Sequence, residues 1–392
     1  MKNADKLPSR CYATVSLDSL AHNMRGIKSL LGKQTKIMAI LKADAYGHGY
    51  LEVAHTMIEN GAQYLAVALV DEAAALRNHG IDLPLLMFSR CEDHDLEKIV
   101  DYDIMPSIYS LRDAQMLDKV AGQRDKIAKM HLKIDTGMGR IGFVHDKEQT
   151  IREIEAISKL EHCRIDGIFS HLACSDEEVD DLSPVQFSRF MDLCTELEQR
   201  GVDLGLKHIC NSAATVRYPH MHLDMVRPGI ISYGYYPSSY VPRLFDFLPV
   251  MEIKAKIIRV ETLKAGSTVS YGATFTAECD MAVATVPIGY ADGYTRLLGG
   301  RASMIVDGTD VPVCGRICMD QCMIDVTSVN TMPEEEDLVT IMGTCGGKSI
   351  SADTLASLLG TINYEILCKV NKRVPRVYIK NGQVESIQTY LF

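Results

Sequence analysis

From Lys36 to about Ile231, short apolar runs alternate with stretches whose apolar residues recur at three and four. A chain with this rhythm is confined to helices layered on a parallel sheet. Eight runs read as strands: Lys36 to Leu41, Tyr64 to Val70, Leu83 to Phe88, Ile104 to Ile108, Lys129 to Ile134, Arg164 to Ser170, Leu206 to Cys210 and Met225 to Ile231. The intervening segments read as helices, for example Asp71 to Asn78 and Pro184 to Arg200. Eight such units predict a (β/α)8 barrel. Beyond about Phe247 the pattern changes to period two with turn dipeptides such as Asp307-Gly308, and one helical stretch, Ser351 to Leu359, interrupts it. The expected architecture is α/β: an N-terminal TIM-like barrel over residues 1–246 and a mostly β domain over 247–392, with Pro242, Leu248 and Pro249 marking the linker.

Composition narrows the partners. The 392 residues carry a formal charge of −10, which disfavours nucleic acid and anionic membranes while leaving room for a locally basic pocket. The N-terminus, MKNADKLPSRCYATV, has no apolar h-region and no stretch is long enough to span a bilayer, so a cytoplasmic protein is expected. Twelve scattered cysteines read as reduced thiols. Cys314, Cys318 and Cys322 recur every fourth residue, one face of a strand, but the spacing is not a usual zinc pattern and no metal is expected.

In such a barrel, functional groups gather at the C-terminal ends of the strands. The first strand ends at Lys42, within AILKADAYGHGY. Lysine captures aldehydes as Schiff bases, and desolvation at a strand end lowers its pKa enough to free the amine. The fifth strand carries Lys133 and leads to Arg140, the sixth ends at His171, the seventh at Asn211-Ser212, and the eighth carries Arg227 with Gly229 and Ile230 behind it. The set suits an anionic, carbonyl-bearing ligand, with phosphate held by the loops after strands seven and eight. Ser212 is also placed to cap a helix from Ala213 to Arg217. GMGRIG, Gly137 to Gly142, matches a dinucleotide fingerprint but does not open directly into a helix, so Arg140 reads instead as a carboxylate clamp. In the β domain, tyrosines in VSYGATF and IGYADGY read as packing, Met319-Asp320 as ordinary strand, and Arg316 with Asp320 as a cross-face pair.

Together these segments resemble the alanine racemases, pyridoxal-phosphate enzymes of fold type III, over Lys36 to Tyr378. KADAYGHG, LKIDTGMGRIG, FSHLACSDE, CNSAAT, MVRPGIISYG, VSYGATF, IGYADGY, GRICMDQCMIDV and TINYEILCKVNKRVPRVY occur in the family's order with family-like spacing. The resemblance implies a pyridoxal 5'-phosphate aldimine on Lys42. It implies cofactor contacts from Tyr46, Asn211, Ser212, Gly229, Ile230 and Tyr364, with His171 lining the ring and Arg227 on the pyridine nitrogen. An arginine there leaves that nitrogen unprotonated and weakens the ring as an electron sink. It further implies two bases, Lys42 and Tyr271, the latter in a chain with His171 and Arg227, and a substrate carboxylate held by Arg140 and the Met319 N–H. Lys133, a position often carbamylated in the family, Tyr290 and Asp320 would support the site.

Tyr271 and Met319 would come from the partner in a head-to-tail homodimer. Asp44, Phe275 and Pro228 depart from the common pattern without removing a catalytic group. The implied activity interconverts L- and D-alanine for peptidoglycan, with Tyr364 narrowing the pocket against serine. A serine or broad-specificity racemase and a non-catalytic pyridoxal-phosphate-binding protein are the alternatives.

Overall fold

A computed structural model describes residue 8 and residues 10–390. They form two compact units, one made of Leu20–Ala45 and Val53–Leu248. Its strands are Lys36–Ile40, Tyr64–Val67, Leu85–Met87, Met105–Ile108, Ala128–Asp135, Cys163–Phe169, Leu206–His208 and Met225–Val226. The first seven are joined in order by six parallel pairings. The ring closes where Met225 pairs with Lys36 and where the N–H groups of Asp224 and Arg227 donate to the carbonyls of Lys207 and Cys210, at 3.1 and 3.0 Å. This is the expected eight-stranded barrel. The helices Val70–Asn78 and Leu182–Gln199 also lie close to their expected places.

The eighth strand is shorter than the apolar run Met225 to Ile231. Pro228 has no N–H to continue a ladder, and Ile230–Tyr233 winds into a single 3-10 turn that ends at Gly234 with φ 92°. The run was apolar because it is buried, not because it is extended: Ile230 and Ile231 are fully inaccessible.

The other unit comprises the described residues up to Ser19, Tyr46–Glu52 and the described residues from Pro249 onward. It is built on an eleven-stranded sheet. Cys11–Ser16 belongs to this sheet, antiparallel to Met251–Lys256 and parallel to Arg376–Lys380, so a boundary at residue 246 assigns it to the wrong body. It is mostly buried, but its partners lie more than two hundred residues away and leave no local mark. The cysteine pattern is also not one strand face: Cys314 and Cys322 are buried on two successive strands, and Cys318 lies in the loop between them.

Arg376 organises this unit's interior. Fully buried, it donates to the carbonyls of Gly47, Asn371 and Val370, each at 2.8 Å, and to that of Val374. Arg376→Met would leave the carbonyls of Gly47, Val370 and Val374 without a donor, whereas that of Asn371 would keep the Val374 N–H at 3.0 Å. The substitution should cost on the order of 3 kcal/mol or more, read as a fall in the urea unfolding midpoint; an unchanged midpoint would show that water replaces the guanidinium.

Candidate functional site

Because all eight barrel strands run the same way, their C-terminal ends share one rim. Lys42 stands there, two residues beyond Ile40. The chain then turns the wrong way for L-amino acids: Ala43, Asp44, Ala45 and Tyr46 have φ between 53° and 56°. Each such residue is disfavoured by roughly 1–2 kcal/mol, so surrounding bonds must hold the turn. The Ala45 N–H donates to Leu41 O at 2.8 Å, and the Ala43 N–H donates to Glu72 Oε1 at 2.7 Å.

Arg227 lies beneath this rim, 4% exposed. Its Nη2 donates to the carbonyls of Ser170 (2.7 Å) and Ile209 (3.0 Å) and to His171 Nδ1 (3.3 Å), while Nη1 donates to His208 Nδ1 (2.8 Å). A guanidinium only donates, so both imidazoles must accept at Nδ1 and carry their proton on Nε2. His208 then donates from Nε2 to His131 Nδ1 at 2.9 Å. Burial, reinforced by neighbouring cations, holds His171 well below its ordinary pKa and keeps it neutral. Burial also lowers Arg227 to about 10, which leaves it charged at neutral pH. Among the described residues Arg227 Nε has no hydrogen-bond partner.

Lys133 is almost completely buried, donates to Ile134 O, and forms no ion pair among the described residues. Burial, then Arg227, lowers its pKa to about 7. Arg140 is exposed and likewise without an ion pair among the described residues. The preceding glycine loop closes on the chain itself: Asp135 Oδ1 accepts the N–H groups of Gly137 (2.9 Å), Met138 (2.9 Å) and Gly139 (3.2 Å), so it is no phosphate cradle.

The helix after strand seven is Ser212–Arg217, and its cap is Asn211, whose Oδ1 accepts from Ala214 N, rather than Ser212. That frees the Ser212 hydroxyl, which accepts the Gly229 N–H at 2.8 Å. The backbone N–H groups of Ser212 and Ile230, both in buried residues, have no acceptor among the described residues.

The second unit carries the remaining candidates. Tyr271 sits at the tip of the Thr268–Val269 and Phe275–Thr276 hairpin, in a turn where Ser270, Gly272 and Ala273 all have positive φ. Ser270 Oγ ties the tip down by donating to Arg316 O at 2.5 Å. Tyr271 and Met319 line one open depression with Cys318, Asp320 and Gln321. The flanking carbonyls are fixed, since Cys318 O accepts from Tyr290 N (3.1 Å) and Met319 O from Ala291 N (3.0 Å). The Met319 N–H has no acceptor among the described residues.

Asp320 pairs with Arg373 at 2.7 Å rather than with Arg316. Arg373 and Arg10 both rest on the buried carboxylate of Asp292, and Arg10 also donates to Asp320 O at 2.8 Å. Tyr46 and Tyr364 come together in this unit, ring centroids 6.0 Å apart. Gly47 allows it: a Cβ there would meet Leu367 O at 2.3 Å.

The barrel residues fit pyridoxal phosphate. The Nε–H of Arg227 lacks an acceptor of the kind a pyridine nitrogen would supply, and the N–H groups of the buried residues Ser212 and Ile230 lack the acceptors a phosphate would provide. His208 and Glu72 are not found by sequence reasoning. His208 is a lone histidine in an apolar strand, and Glu72 looks like any acid in a first helical turn.

Fold and site define a (β/α)8-barrel enzyme built for amine and carbonyl chemistry. Residues 15–237 match the model of the alanine racemase N-terminal domain, and residues 250–378 that of its C-terminal domain. The chain is 44% identical to an alanine racemase of Clostridium tetani over 97% of its own length and 98% of the relative's. The solved alanine racemase of Clostridium difficile 630 matches with a TM-score of 0.95 and 38% identity, covering 99% of this chain and all of that one. The Bacillus anthracis alanine racemase, solved with bound L-Ala-P, matches at 0.93 and 32% identity over 98% of this chain and 99% of that one. The chain belongs to the alanine racemase family. Among its described residues, no helix is long and apolar enough to cross a membrane.

Proposed function

We propose that this protein interconverts L- and D-alanine on pyridoxal phosphate, with D-alanine destined for peptidoglycan. The observation that carries the reading is the unpartnered Nε of buried Arg227 on the rim that also bears Lys42. Lys42, Tyr46, His171, Asn211, Ser212, Arg227, Gly229, Ile230 and Tyr364 would hold the cofactor. Pyridoxal phosphate, when bound, makes the α-proton of the amino acid acidic enough to be removed and returned.

Lys42 Nζ takes that proton from D-alanine and Tyr271 Oη from L-alanine, one base for each face. Tyr271 stands in a chain with His171 and the cation of Arg227. Arg140 and the Met319 N–H hold the substrate carboxylate, and Tyr290 and Asp320 support them. Chiral chromatography should show L-alanine converted well ahead of L-serine, and Lys42→Ala should lose both turnover and the cofactor's visible absorbance. Conversion of serine at an equal rate would make it a broad-specificity racemase.

The protein works as a homodimer in which the partner supplies Tyr271 and Met319. Tyr271, Met319 and Tyr290 are 68%, 52% and 44% exposed, an apolar surface suited to burial against a second copy. Mixing inactive Lys42→Ala and Tyr271→Ala proteins should restore part of the activity. No recovery despite proven subunit exchange would mean that each site is self-contained.

Lys133 is carbamylated, because its neutral amine is the form that reacts with carbon dioxide and the resulting anion stands among cations that lack a counter-charge. The sign follows from its lowered pKa: the reactive neutral form is lost as pH falls below about 7. Carbon-13 bicarbonate should therefore give a carbamate resonance that fades below about pH 7 and is absent in Lys133→Ala. A spectrum identical in the two proteins would sink the assignment.

A further inference from the structure

We propose that Glu72 is a positioning residue for Lys42, an inference that rests on the reading of Lys42 as the cofactor's lysine. Its carboxylate bridges two rim segments. Oε1 accepts the Ala43 N–H at 2.7 Å, and Oε2 accepts the N–H groups of Ala68 at 2.8 Å and Leu69 at 3.2 Å. The first bond matters for chemistry because the Ala43 N–H belongs to the peptide that begins at the carbonyl carbon of Lys42. Fixing that peptide plane fixes ψ of Lys42, and with it the direction in which the amine leaves the backbone.

It does so where the chain is least able to hold itself, immediately before four L-residues in the left-handed region. The other two bonds anchor the carboxylate to the loop after the Tyr64–Val67 strand, so the turn is tied to a neighbouring strand end and not only to its own. Glu72 is also the third residue of the helix Val70–Asn78, whose N-cap, Leu69, has no capping side chain. Simple helix capping accounts for the bonds to Ala68 and Leu69, but it does not call for the bond to Ala43.

The two roles separate by substitution. Glu72→Gln keeps the shape but has one acceptor where three N–H groups converge on two oxygens. Asp71→Asn, in the same first turn and paired with Lys98 at the surface, tests the charge at the helix start alone. The experiment measures kcat and KM in the holoenzyme, the pH titration of the bound cofactor's visible absorbance, and the thermal midpoint.

Glu72→Gln should lower kcat about tenfold or more, with KM changed far less, and should shift the absorbance titration; Asp71→Asn should leave both in place. Adding Ala43→Gly should restore part of the lost kcat, because glycine adopts the left-handed region without strain. Should Glu72→Gln not fold, Glu72→Asp, with both acceptors but a shorter reach, is read the same way. Wild-type kcat and an unshifted titration, whether or not the thermal midpoint falls, would overturn the proposal and leave Glu72 as a cap. Absorbance retained in Lys42→Ala would instead overturn the reading of Lys42, a separate failure.

Discussion

A guanidinium buried in the middle of a protein is tolerated only when most of its donors are met, and Arg227 meets that condition with acceptors that carry no charge. The consequences spread from there. Two carbonyls at the ends of barrel strands are fixed in direction, and two histidines are forced into the tautomer that accepts at Nδ1. The uncompensated cation then acts on its surroundings. It helps to hold His171 and His208 neutral and Lys133 near pH 7, in each case adding to the burial that dominates. A carboxylate beside Arg227 would have stabilised the barrel more simply and removed the field that makes its rim receptive to an anion.

The two units hold their functional backbone by different means. In the barrel, the segment after Lys42 is kept in a strained left-handed turn by hydrogen bonds from outside it, so the amine's direction depends on neighbours such as Glu72. In the other unit, the loop bearing Met319 is unstrained but is framed by charge. Asp292 grips Arg10 and Arg373, and these grip the backbone and carboxylate of Asp320. The second device leaves the Met319 N–H without an acceptor among the described residues.

Much of this was legible in the chain. The barrel could be read from eight apolar runs because a strand buried on both faces must be apolar throughout. Lys42 and His171 could be placed at strand ends because each follows directly on an apolar run. Legibility failed where burial and extension part company, as at Ile230 and Ile231, which are apolar in a 3-10 turn. It failed for Ser212 as a cap, since Asn211, one residue earlier, meets the same N–H. It failed again for Asp320, whose partner Arg373 lies 53 residues away.

The sequence by itself determined what is periodic or local: the number of barrel strands, the change to a β-rich second half, the rejection of GMGRIG as a dinucleotide turn, and the ordered segments that place the chain in its family. Tertiary structure decided what depends on partners distant in sequence. It assigned Cys11–Ser16 to the β sheet, gave Arg227 its histidines, set Glu72 against the Ala43 amide and placed Asp292 between two arginines. The reason is physical. Hydrophobic periodicity records which face of an element is buried, whereas a hydrogen bond or ion pair records which two elements meet, and a linear pattern carries the first kind of information but very little of the second.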